Sequence, residues 1–80
     1  MVPIGKAGKI VSGESAGWYV FVEDDSDNTG GFLILQAPTT DFWTGGKGFD
    51  DWVETRADLE RFFTQRQWQV QWLEEPVVRP

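Results

Sequence analysis

Residues 17–35 constrain this chain more than any other stretch. From Trp18 to Glu23, Trp18, Val20 and Val22 alternate with Tyr19, Phe21 and Glu23, the period-two pattern of a strand. Gly31 to Gln36 repeats it, with Phe32 and Ile34 set against Leu33 and Leu35. The loop between them, from Asp24 to Gly30, holds Asp, Ser, Asn, Thr and Gly. These residues bond to their own backbone or accept positive φ, which suits a turn and not a sheet interior. The run predicts a β-hairpin. Both faces of each strand are mostly apolar, so the pair is expected at the centre of a sheet covered on part of each side.

The rest of the chain completes that sheet. Residues 1–8 carry little pattern and read as an irregular arm. Lys9 to Ser12 is short and β-branched, a first strand before the turn Gly13-Glu14-Ser15-Ala16-Gly17. Ala37-Pro38-Thr39-Thr40 ends the second hairpin strand, and a Gly-rich loop with two aromatics runs from Asp41 to Gly48. Phe49 to Glu54 fits either a short edge strand or a lead-in to a helix. The helix itself is expected over 56–66. Thr55 is a good N-cap with Asp58 three residues on, and Leu59, Phe62 and Phe63 form one apolar stripe. Trp68-Gln69-Val70-Gln71-Trp72 alternates strictly, as a half-buried strand does. Residues 74–80, with two prolines, read as a loose tail. The fold class that follows is α+β: an antiparallel sheet of four or five strands, one helix packed on one face, and that helix between the last two strands. Residues 1–80 read as one domain.

Composition decides which chemistry is open. A chain of 80 residues buries only about 60% of its unfolded surface, so its core residues must be large. Five Trp and six Phe meet that need. There is no Cys and no His, which removes thiol nucleophiles, imidazole bases and the common zinc and haem ligands. An enzyme is therefore the least supported class, and no cofactor is expected. The net charge is −6, and the few Lys and Arg are scattered, so nucleic-acid binding is not expected. No apolar run reaches the roughly 20 residues that span a bilayer, and the first residues lack the apolar core of a signal peptide. A cytoplasmic protein without a membrane role is the expectation. An acidic surface suits a basic protein partner, because opposite fields speed encounter.

Four local patterns invite specific chemistry. Asp25, Asp27, Thr29 and Gly30 match the start of a calcium loop, but Leu33 and Gln36 stand where its later ligands belong. A calcium- or ligand-binding module using residues 24–30 is thus an alternative and not the main reading. The acid pairs Asp24-Asp25, Asp50-Asp51 and Glu74-Glu75 are sequence neighbours, which a strand sends to opposite faces. Gly45-Gly46-Lys47-Gly48 lacks the spacing of a phosphate loop. Trp43 and Trp52 sit in polar, Gly-rich or acidic surroundings, where they either cap the core edge or anchor an interface.

The segments Gly17 to Leu35 and Gly48-Phe49-Asp50-Asp51-Trp52-Val53-Glu54, with Leu59, Phe62, Phe63 and Trp68 to Leu73, resemble small bacterial single-domain proteins of the general type of immunity proteins. The resemblance implies an acidic cytosolic domain that neutralises a toxin, and it assigns no functional residues. Together these observations point to a protein-binding domain that docks a basic partner. The candidate contact residues are Glu23, Asp24, Asp25 and Asp27 of the hairpin, and Trp43, Asp50, Asp51, Trp52 and Glu54 beyond it. A structural or oligomerising domain that pairs through an exposed edge strand is a further alternative.

Overall fold

The computed structural model describes residues 1–44 and 48–77. The Gly45-Gly46-Lys47 segment of the expected loop and residues 78–80 of the expected tail lie outside the described residues. Five strands and one helix follow one another: β1 (Ala7–Ser12), β2 (Tyr19–Asp25), β3 (Gly31–Ala37), β4 (Phe49–Val53), α1 (Arg56–Gln65) and β5 (Gln69–Trp72). All strand pairs are antiparallel, in the order β4-β3-β2-β1-β5. The first four strands are a plain meander. α1 then carries the chain from one edge of the sheet to the other, where β5 pairs with β1. The expected α+β class, with one helix between the last two strands, is the one observed.

The register sorts the side chains. Val20, Val22, Ile34 and Ile10 are fully buried on the face that α1 covers, where Leu59 and Phe63 of the helix meet them. The opposite face carries Tyr19, Phe21, Leu33 and Leu35, all half-buried. Phe42 and Trp43 from the loop after β3 pack onto Phe21 there, with ring centroids 5.6 and 5.3 Å away. The central hairpin is thus covered on both sides, fully on one and partly on the other. Trp18 continues the helix-side set and stacks on Phe49 at 5.7 Å, beyond the end of the helix.

Boundaries differ most from the expected ones at β1 and at the hairpin loop, at β1 for a tertiary reason. The arm expected over 1–8 enters β1 at Ala7, so that the first strand is longer than Lys9–Ser12. Propensity hides this, because the residue needed at position 8 is Gly: a Cβ there would lie 2.8 Å from the Trp72 ring. The rest of the arm is tied down. Val2 is buried, its N–H donates to Glu60 at 2.8 Å, and Arg56 donates to its carbonyl. In the hairpin, β2 runs on through Asp24 and Asp25, so the loop proper is residues 26–30. Of the expected tail, residues 74–77 form no helix or strand, and Glu74 meets Lys6 at 3.7 Å.

The helix begins as its sequence dictates. Thr55 is extended, and its hydroxyl accepts the Asp58 N–H at 3.1 Å. Asp58 in turn receives the Thr55 hydroxyl and Arg61, at 2.7 Å, and these hold its carboxyl below the usual range. Among the described residues no helix is long and apolar enough to cross a membrane.

Candidate functional site

The nine candidate contact residues fall into three groups. The first is the hairpin end. Asp24 caps its own turn, accepting the Ser26 N–H at 3.0 Å. Asp25 accepts from the Asn28 amide at 3.2 Å, and its carbonyl takes the Thr29 hydroxyl at 3.2 Å. Asp27 is exposed at the tip, and Glu23 is half-buried on the face away from the helix. Asp24 and Asp25 serve the turn, and the four carboxylates do not converge: among the described residues no group of three or more acids is placed to hold a metal ion. The calcium alternative gains no support from this geometry.

The Ser26 N–H and, after it, the Ser26 hydroxyl pull the Asp24 carboxyl below its ordinary 3.8. The Thr44 hydroxyl, then the Thr44 N–H, do the same for Asp41. A lowered folded-state value means that the ionised form is favoured by folding. The contribution is therefore complete above the unfolded value of about 3.9 and is lost as pH falls through the folded values. Acid titration followed by carboxyl chemical shifts is expected to give Asp24 and Asp41 midpoints below 3.8. Midpoints at or above it would mean that the two turns are not formed in solution.

Trp43 makes the second group alone. It lies in a three-ring cluster with Phe21 and Phe42 and is half-buried. Its position is that of a cap on the helix-free face rather than of a protruding anchor.

The third group is β4 with the residue that follows it. β4 is the edge-strand form of the two readings open for Phe49 to Glu54. Alternation sends Asp50 and Trp52 to the helix-free face, and Phe49, Asp51 and Val53 to the helix side. Trp52 is 46% exposed but not loose: its indole N–H donates to the Thr29 hydroxyl at 2.8 Å, and its ring lies over Gly31. That bond joins β4 to the acidic hairpin. Asp51 meets Arg66 at 3.9 Å, and Arg66 also reaches Glu14 at 3.7 Å while lying 4.0 Å from the centre of the Phe62 ring. Glu54 is exposed at the turn into α1.

Two contributors escaped the sequence reading. Phe49 is 63% exposed, more open than Trp52. Its place opposite Gln36 in an acidic edge strand would have marked it, had the strand been distinguished from a helix lead-in. Arg66 had no readable signal, since its partners Glu14 and Asp51 are distant in sequence.

Two depressions flank β4 on the helix side. One, of about 370 Å³, is lined by Glu14, Gln36, Phe49, Asp51 and Arg66 among others. The next, of about 460 Å³, lies between Trp52, Val53 and Glu54 on the strand and Asp58, Phe62 and Gln65 on α1. No protein-family model matches the chain, and neither a curated protein nor a solved structure matches it.

Proposed function

We propose that this is an acidic protein-binding domain whose β4 region docks a basic protein partner. The supporting observation is the composition of one edge strand. Phe49 and Trp52 are the most exposed aromatics on the chain, and Asp50, Asp51 and Glu54 stand among them. Exposed aromatic anchors among mostly acidic neighbours, with Arg66 paired to Asp51 as the exception, favour a partner of opposite charge, which is steered in by the field and held by ring burial. The net charge of −6 acts in the same direction. The likeness to immunity proteins supplies the specific form, a basic toxin or nuclease that the domain neutralises by occupation and not by catalysis.

The test is capture at low salt from the source cell, identification of the partner, and affinity measurement with both proteins purified. A basic partner is expected, with affinity that falls as salt rises. Phe49→Ala is expected to weaken it about thirtyfold, the loss of a hot-spot residue. A partner that is acidic, or one whose affinity ignores both salt and Phe49, would sink the reading.

A further inference from the structure

We infer that the basic partner binds by adding an extended segment to β4 as a sixth strand, seated in the groove between β4 and α1. The inference rests on the reading of the partner as basic and supplies the mode of docking. It begins from backbone groups. The Gly5 N–H donates to the Val22 carbonyl at 2.8 Å, so the backbone groups of Val22 face the β1 side. Antiparallel alternation then directs those of its partner Ile34 towards β4, where they bond to Asp51. One residue to either side, Asp50 and Trp52 therefore present N–H and C=O to the outer edge. Among the described residues no strand pairs with that edge.

The groove beside it has the right walls. Asp58, Arg61, Phe62, Gln65 and Arg66 recur along one side of the helix, offset from the buried Leu59 and Phe63. The second depression runs between the end of β4 and α1, and the first opens beside the start of β4, with Gln36 of β3 and Glu14 as its far wall. An open strand beside a helix offers main-chain bonds for affinity and alternate side-chain sites for specificity.

Charge selects the occupant. The two depressions are lined by the carboxylates of Glu14, Asp50, Asp51, Glu54 and Asp58 against the guanidiniums of Arg61 and Arg66; Arg61 pairs with Asp58 and Arg66 with Glu14 and Asp51, which leaves Asp50 and Glu54 to meet a basic occupant. A segment with Lys or Arg at alternate positions complements this lining. A second copy of this chain fits less well. Antiparallel twofold pairing centred on Asp50 or Asp51 sets each against itself, and pairing centred on Trp52 sets Asp50 against Glu54; only registers displaced to Phe49 or Val53 avoid such pairs. Like charges directly opposite are destabilising.

Two capped peptides test the inference on the isotope-labelled full chain at low salt: five Lys-Val repeats, which extend as a strand, and five Lys-Pro repeats, which carry the same charge but lack every second N–H and favour polyproline II over a strand. The Lys-Val peptide is expected to bind at least about tenfold more tightly. Amide shifts should map to 48–54 and the groove side of α1, with slowed amide exchange at Asp50 and Trp52. Asp50→Ala should keep most of that preference. Asp50→Pro, which also removes the outward N–H and fixes the local φ, should abolish it. Equal binding of the two peptides, or equal behaviour of the two variants, overturns strand addition while leaving a basic partner in place. Binding of neither peptide overturns the basic-partner reading as well. If Asp50→Pro fails to fold, unchanged exchange at Asp50 and Trp52 in the unsubstituted chain overturns the inference. Concentration-dependent protection without peptide assigns the edge to a second copy instead.

Discussion

Leu59→Ala is expected to lower the stability of this domain by about 2–5 kcal/mol, the range for truncating a fully buried leucine. Leu59 has no solvent exposure and, with Phe63, is one of two buried residues on the helix. The sheet residues beneath it, Val20, Val22 and Ile34, come from paired strands whose backbone bonds hold them in place. They cannot close around a missing isobutyl group, so the cavity term persists. A domain of this length has a total stability of about 4–12 kcal/mol on the usual per-residue scale. The loss is thus a large fraction of the whole and lowers Tm by more than about 10 °C. Urea titration checks it: the midpoint should fall with the slope unchanged. Leu59→Met, close in volume, should cost less than about 1.5 kcal/mol. Equal losses for the two variants would mean that Leu59 is not packed as described.

Gly31→Ala is the second large effect. Gly31 is buried at the start of β3, and a Cβ there would meet the Val53 carbonyl and lie 2.8 Å from the Trp52 ring. Its φ is not positive, so the obstacle is space and not backbone strain. The ring can rotate away, but the carbonyl belongs to β4 and moves only if the strand does. A loss of about 3 kcal/mol is expected, at the upper end for overpacking. A displaced Trp52 also loses its bond to Thr29, so the indole N–H signal should shift and exchange faster. The control is Gly30→Ala. Gly30 has a φ of +83° with open space around it, so that variant strains the turn but leaves the indole signal in place. An indole signal unmoved by Gly31→Ala would show that Trp52 does not rest on this glycine.

These two residues also show what a sequence can and cannot disclose. Leu59 was legible as core because helical spacing links it to Phe62 and Phe63, and Thr55 with Asp58 marks where that helix starts. Both signals are local, as are the alternations that gave β2, β3 and β5. Gly31 was legible as the start of a strand, but its need to be glycine was not, because that comes from Trp52, twenty-one residues further along. Gly8 under Trp72 is the same case, and for that reason the start of β1 was missed. At the site, the acids were legible as a charged segment, while for Trp52 a core-edge cap and an interface anchor both stayed open. The division of Asp50 and Asp51 between two faces followed from strand alternation. The Arg66 bridge and the bond from Trp52 to Thr29 were not legible, because nothing local specifies which residues a twisted sheet and a crossing helix will bring together.

The place of β1 beside β5 has a consequence for the order of folding. Gly8 pairs with Trp72, so the outer edge of β1 must wait for a segment sixty-four residues further along. The β2–β3 hairpin and the meander to β4 can assemble from sequence neighbours, but helix and sheet cannot be locked until β5 arrives. Until then the outer edge of β1 and the apolar bed for Leu59 stay uncovered. Such contacts between distant segments slow folding and prolong the exposure of unpaired edges. The sheet of this domain is thus completed in one late closure, when β5 reaches the waiting edge of β1.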